Sequence, residues 1–261
     1  IFTLSDGSEV NAGQVRGSID WQLDYSFNDA EGTVANISAD GKTIAIYNSG
    51  RVDVYRYNGE YWRGLGNSFS LNLSSMRLSA DGNTIVFGIS VYEPNTGASS
   101  NSLRAYRYNG SSWQQLGEDQ DLGSADFIEV SASADGNIVA VGGGVFDQIS
   151  SSISFYVRVY SYNGSSWQQL GGDVGDGTGI IDENSLSADG KTLAVEAEFN
   201  DVVTGVYSEY VRIYRYNGTS WQQLGGDIGK EDDVDSPSIS ANGNILAVEA
   251  EFEDPATGAE I

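Results

Sequence analysis

Apolar and polar residues alternate with a period of two along short stretches that end at turn residues. In Val157-Arg158-Val159-Tyr160-Ser161-Tyr162, Val157, Val159 and Ser161 point one way, and Arg158, Tyr160 and Tyr162 the other. That is the pattern of a half-buried β-strand. Asn163-Gly164 follows, and Asn-Gly favours the positive φ of a tight hairpin. The stretch 78–89, LSADGNTIVFGI, reads as a second kind of hairpin: an apolar run, an Asp-Gly turn, then a β-branched run. No stretch carries a 3.6-residue apolar period, so the pattern predicts almost no helix.

Both hairpins recur. NGSSWQQLG fills 109–117 and again 163–171, and NGTSWQQLG fills 217–225. Ser-Ala-Asp-Gly begins at Ser38, Ser79, Ser133 and Ser187, and Ser-Ala-Asn-Gly at Ser240, giving steps of 41, 54, 54 and 53 residues. Trp62, Trp113, Trp167 and Trp221 keep the same beat, with Trp21 an earlier member in GSIDWQL. Four short antiparallel strands per unit of this length predict an all-β chain, a β-propeller of about five four-stranded blades. The units run over 21–66, 67–117, 118–171, 172–225 and 226–261, the last completed by 1–20. That last unit stops before its own Trp hairpin. N- and C-terminal strands pairing in one blade would close the ring and leave no free sheet edge; an excerpt of a longer propeller or tandem array is the other reading.

Composition narrows the function classes. With 37 acidic and 13 basic residues and no His, the net charge is −24. Such a surface repels nucleic-acid phosphates and anionic membranes and favours cations. It suits salty water, where self-repulsion is screened. There is no Cys, so neither disulfides nor thiol chemistry is available. No 18-residue apolar run predicts membrane insertion.

The phrase VRVYSYNGSSWQQLGGDVG, followed by a spacer and LSADGKTLAV, resembles the FG-GAP-like propeller repeats of large secreted or surface proteins of marine microalgae and bacteria, distantly similar to the propeller head of integrin α chains. The resemblance covers roughly residues 20–261. It implies an extracellular or cell-surface location and a role in adhesion, matrix or protein–glycan contact. Two departures matter. No unit has the D-x-D-x-D-G calcium loop, so calcium binding does not come with the resemblance. Where the family commonly has Gly after the SADG hairpin, the fourth and fifth units have Glu196 and Glu249.

Four features are candidate sites. The repeated tryptophan, Trp21, Trp62, Trp113, Trp167 and Trp221, is either a ring of sugar-binding platforms or a wedge between neighbouring blades, and the regular recurrence favours the wedge. The paired glutamines beside it are expected to hydrogen-bond neighbouring loops or blades. The acidic clusters EAEFND (196–201) and EAEFED (249–254) occur only in the fourth and fifth units, and Glu196, Glu198, Asp201, Glu249, Glu251 and Asp254 could hold Ca²⁺ as hard oxygen ligands. Asn109, Asn163 and Asn217 sit in N-x-[ST] sequons at exposed turns and are the glycosylation candidates. The stretches 92–102, 146–154 and 200–208 read as long loops on one face, available for binding.

The sequence thus predicts a non-enzymatic extracellular structural or adhesion module making protein–protein or protein–matrix contacts, with self-association open to it. A glycan-binding propeller with sites between blades is the alternative. A carboxylate enzyme would need Glu196, Glu198, Glu249 or Glu251 to converge in one cleft.

Overall fold

The computed structural model describes residues 2–3, 9–10, 34–93, 98–123, 125–147, 152–175, 183–201, 206–229 and 234–250. The chain divides into two compact units, Ile1–Gly32 and Thr33–Ile261. In the first, β1 (Phe2–Thr3) and β2 (Glu9–Val10) pair antiparallel.

The second unit is all β among its described residues, built of successive antiparallel sheets. The first sheet holds β3 (Val34–Ile37), β4 (Thr43–Asn48), β5 (Arg51–Tyr57) and β6 (Trp62–Gly64) in that order, with β7 (Phe69–Ser70) added on β5. The second holds β8 (Leu73–Leu78), β9 (Thr84–Glu93), β10 (Ala98–Tyr108) and β11 (Trp113–Gln115), with β12 (Gln120–Gly123) added on β10. The third holds β13 (Ala125–Ala132), β14 (Ile138–Asp147), β15 (Ser152–Tyr162) and β16 (Trp167–Gln169). The fourth holds β17 (Asn184–Leu186), β18 (Thr192–Asp201), β19 (Val206–Tyr216) and β20 (Trp221–Gln223). A fifth pair, β21 (Val234–Ile239) and β22 (Leu246–Ala250), repeats the first two strands of that plan. These are sheets of the β-propeller type. No described helix is long and apolar enough to cross a membrane.

The Ser-Ala-Asp-Gly turn joins strands one and two of each sheet, and its side chains lock it. In the third sheet Ser133 Oγ donates to Asp135 Oδ1 at 2.9 Å, Asn137 N donates to the same oxygen, and Ile138 N donates to Ser133 Oγ. The turn glycine has φ between 66° and 68° in all five copies. Asn242 keeps the acceptor in the fifth copy, receiving Ser240 Oγ and Asn244 N. Successive turns are tied by main-chain bonds: Ala39 N to Ala80 O, Asp81 N to Ala134 O, Ala134 N to Ala188 O and Ala188 N to Ala241 O, all 2.9–3.1 Å.

The core lies in layers between successive sheets. Val86, Leu103 and Leu116 of the second sheet pack on Val130, Val139, Val141 and Trp167 of the third. Equivalent layers join the first sheet to the second, the third to the fourth and the fourth to the fifth. Both faces of a strand such as β18 are therefore buried, with Leu193, Ala194 and Val195 each at most 2% exposed.

The stretches expected as long loops are mostly strand. Glu93 pairs with Ala98, Asp147 with Ser152 and Asp201 with Val206, so strands two and three continue as long hairpins. Residues such as Ser99, Ser100 and Ser102 are small and polar and look like loop, yet the register with Tyr92, Val91 and Ile89 holds them in the ladder.

Candidate functional site

Trp113, Trp167 and Trp221 each donate the indole N–H to a main-chain carbonyl of the preceding sheet: Leu65 O at 2.6 Å, Leu116 O at 2.7 Å and Leu170 O at 2.9 Å. Trp113 and Trp167 are 9% and 7% exposed, which leaves no ring face for a sugar. Trp62 is half-buried at the start of β6, and Trp21 lies outside the described residues. The second glutamine of the phrase donates to an aspartate that also receives a sheet arginine: Gln115 and Arg104 on Asp119, Gln169 and Arg158 on Asp173, Gln223 and Arg212 on Asp227.

Asn109, Asn163 and Asn217 sit at exposed turns, where each Oδ1 accepts two main-chain N–H groups. The Nδ2 of Asn163 and of Asn217 donates to Ser166 Oγ and Ser220 Oγ.

Among the described residues the acidic candidates do not assemble. Glu196 is 5% exposed and faces the fifth sheet, where its Oε2 accepts Ser236 N at 2.9 Å. Glu198 pairs in register with Glu209, Asp201 with Val206, and exposed Glu249 with Asp235. Glu251 and Asp254 lie outside the described residues. Among the described residues no three acidic side chains gather in a way that could hold a metal ion.

A different set of residues converges. A polar pocket of about 330 Å³ opens among the first strands of the second to fifth sheets. Its charged walls are Arg77 on β8, Glu129 on β13 and Glu183 just before β17. The repeat explains their meeting. Arg77 stands two residues before its turn serine, the place that Ser131, Ser185 and Ser238 hold in later sheets; Glu129, Glu183 and Ser236 stand four before theirs. Alternation along a strand sends both places to the same side.

Arg77 Nη2 lies 3.7 Å from Glu129 Oε1. Burial pushes the Glu129 carboxyl up to about 7; the Arg77 charge and the Val130 N–H oppose the rise, and the Glu183 charge adds to it. The wall behind them is fixed. Asn184, 4% exposed, accepts Ser131 Oγ at 2.5 Å and donates to Glu129 O at 3.1 Å. On the far side β21 bulges between Asp235 and Ser238, with Ser236 at φ 47° held by Glu196. Bulges and non-glycine residues at positive φ cluster at functional sites. Sequence reasoning passed over Arg77, Glu129 and Glu183. Their signal is their phase: aligned on the turn serine, Arg77 stands where the other copies have asparagine or serine, and Glu129 and Glu183 where the others have Val34, Ser75 and Ser236.

No protein-family model and no curated protein matches the chain. Solved structures do. A functionally unknown protein from Desulfotomaculum acetoxidans superposes with a TM-score of 0.55 at 13% identity, over 87% of this chain and 67% of that one. A periplasmic gluconolactonase of Pseudomonas aeruginosa superposes with a TM-score of 0.51 at 17% identity, over 87% of this chain and 69% of that one. Likeness at this identity carries the fold alone. It nevertheless corrects the expectation of a non-enzymatic structural or adhesion module: a named protein similar in fold, the gluconolactonase, is an enzyme, which points away from that reading.

Proposed function

We propose that the pocket around Glu129 binds a small, hydroxyl-rich molecule and hydrolyses it at a carbonyl carbon, as an ester or lactone is hydrolysed. The observation that carries this reading is the convergence of Arg77, Glu129 and Glu183, from three successive sheets, on one pocket whose other lining is mostly serine and asparagine, with Ser131 and Asn184 hydrogen-bonded. Its volume suits a small ligand. Serine and asparagine groups match hydroxyls. Glu129 serves as general base toward water, since a carboxyl titrating near neutrality can both take and return a proton. Arg77 offsets the negative charge that grows on the carbonyl oxygen. The reading takes the successive sheets as about five blades of one propeller.

The test is turnover on a panel of small sugar lactones and acyl esters, lactones first because of the enzyme that shares the fold. Glu129→Gln is expected to lower kcat at least ~100-fold through loss of general-base catalysis, and Arg77→Met to lower kcat/KM. A panel with no substrate turned over, or a Glu129→Gln protein as active as the parent, overturns the reading.

A further inference from the structure

Arg77 differs from the arginines of the third strands. Arg158 and Arg212 each clamp an aspartate with two bonds, at 2.9 and 3.1 Å and at 2.7 and 3.2 Å, and Arg104 does the same with Asp119. Arg77 has no such clamp among the described residues. Its Nε donates to Val130 O at a long 3.4 Å, and its Nη2 stands 3.7 Å from Glu129 Oε1, beyond hydrogen-bond reach. Its side chain is partly exposed and lines the pocket of about 330 Å³. A guanidinium presents its donors in a planar fork that matches a carboxylate. Most of that fork has no partner among the described residues.

Among the described residues, the charged groups that face Glu129 are Arg77 from β8 and Glu183 from the stretch before β17. β14 sets Gly142 opposite Glu129 in the ladder, and β17 and β21 bring Asn184, Ser185 and Ser236 to the pocket. An anion seated on Arg77 would therefore stand beside two carboxylates. Like charges crowded into one site cannot all ionise. Glu129, which burial makes titrate near neutrality, is the group that gains the proton. Once protonated, it donates a hydrogen bond to the anion instead of repelling it.

We infer that this pocket is a proton-coupled site for a small hydroxy-carboxylate anion: the carboxylate lies on Arg77, the hydroxyls meet the serine-rich wall, and Glu129 takes up a proton from solvent as the anion enters. The inference deepens the hydrolytic reading and rests on its pocket. Hydrolysis turns an ester or lactone carbonyl into a carboxylate, so the cation that meets the carbonyl oxygen also meets the product. Loss of the Glu129 proton then sets two carboxylates against the anion and favours its release as pH rises.

The experiment is calorimetric titration of the full chain with galactonate, a six-carbon hydroxy-carboxylate, at about 0.15 M salt, where the field of the acidic surface is screened beyond about 8 Å. Saturable one-to-one binding is expected, about 10-fold weaker at pH 8 than at pH 6, because the site accepts the anion with Glu129 protonated. At pH 7, paired buffers of different ionisation heat should report uptake of about half a proton per anion. Arg77→Met should weaken binding at least ~10-fold, as loss of a charge-assisted hydrogen bond does. Glu129→Gln should bind equally at pH 6 and pH 8 and take up no proton. Uncharged galactitol, and acetate without the hydroxyls, should each bind at least ~10-fold more weakly than galactonate. No galactonate binding to the parent, equal binding at the two pH values, or either control bound as tightly as galactonate overturns the inference; these readings on the parent stand even if a variant fails to fold. Galactonate binding without turnover of any lactone or ester keeps this inference and overturns the hydrolytic reading, and turnover without galactonate binding does the reverse.

Discussion

Trp167 reaches across the boundary between two sheets and donates its indole N–H to Leu116 O at 2.7 Å. The ring beneath that bond packs against Tyr162, with centroids 5.2 Å apart. One side chain thus fills the space between two sheets and satisfies a carbonyl that has no strand partner. The chain repeats a nine-residue phrase because three successive boundaries, those of Trp113, Trp167 and Trp221, use this same part.

Trp167→Phe keeps most of the filling and orphans Leu116 O, a buried acceptor. A loss of about 1–3 kcal/mol is expected. Trp167→Ala removes both and should cost about 3–5 kcal/mol. Trp62, half-buried, should lose less on the same change. Urea denaturation of the three variants checks the order.

The Asp135 carboxylate holds the third turn by accepting Ser133 Oγ and Asn137 N. Burial raises its pKa, but these bonds outweigh it and hold the group below the usual carboxylate range. Asp135→Ala should cost about 1–2 kcal/mol, the value of a lost turn cap. Asp135→Asn keeps an acceptor, as Asn242 does in the fifth copy, and should stay within ~0.5 kcal/mol of the parent. The sign with pH follows from the depressed pKa: this contribution is present above the ordinary aspartate range and is lost as acid protonates the folded turn. If the Asn variant unfolds as readily as the Ala variant, the acceptor is not what holds the turn.

Local chemistry decides how much of this could be read in advance. Asp40-Gly41 and Asn163-Gly164 announce their turns because a few adjacent residues fix the backbone there. The third strands were harder. Residues 98–102, Ala-Ser-Ser-Asn-Ser, carry no strand pattern, and their place is set by a partner strand rather than by themselves. Glu196 is buried on the side toward β21, where its carboxylate accepts a main-chain N–H from Ser236. Arg77, Glu129 and Glu183 are separated by more than fifty residues each, and only the stacking of first strands brings them to one pocket.

Glu196 should act as a positioning residue for that pocket. Its carboxylate accepts Ser236 N, at a backbone φ of 47° that serine rarely adopts. Glu196→Ala leaves the N–H without this acceptor and is expected to cost about 1–3 kcal/mol. Amide hydrogen exchange at Ser236 should accelerate, and KM for any substrate of the pocket should rise more than kcat falls. Glu196→Gln retains an acceptor oxygen and should recover most of the protection. Unchanged exchange in Glu196→Ala would remove the role.

Glu129 makes the pocket's charge depend on pH near neutrality. Its folded pKa, raised by burial to about 7, stands above the ordinary glutamate range. Between those two values the folded chain holds a proton that the unfolded chain has released. The contribution of Glu129 to stability therefore falls as pH rises from about 4.3 toward neutrality, then levels off. Glu129→Gln removes the titrating group and with it this part of the slope. The variant should match the parent near pH 4 and exceed it at pH 8 by on the order of 2 kcal/mol, a figure reduced for the side chain's partial exposure. Arg77→Met should act in the opposite direction: with the opposing cation gone, the Glu129 pKa climbs further and the slope extends to higher pH. Urea midpoints for the parent and both variants at pH 4, 6 and 8 separate these outcomes. A parent and a Glu129→Gln protein with parallel pH profiles would mean that Glu129 titrates as an ordinary surface carboxylate, and the pocket would lose its acid–base group.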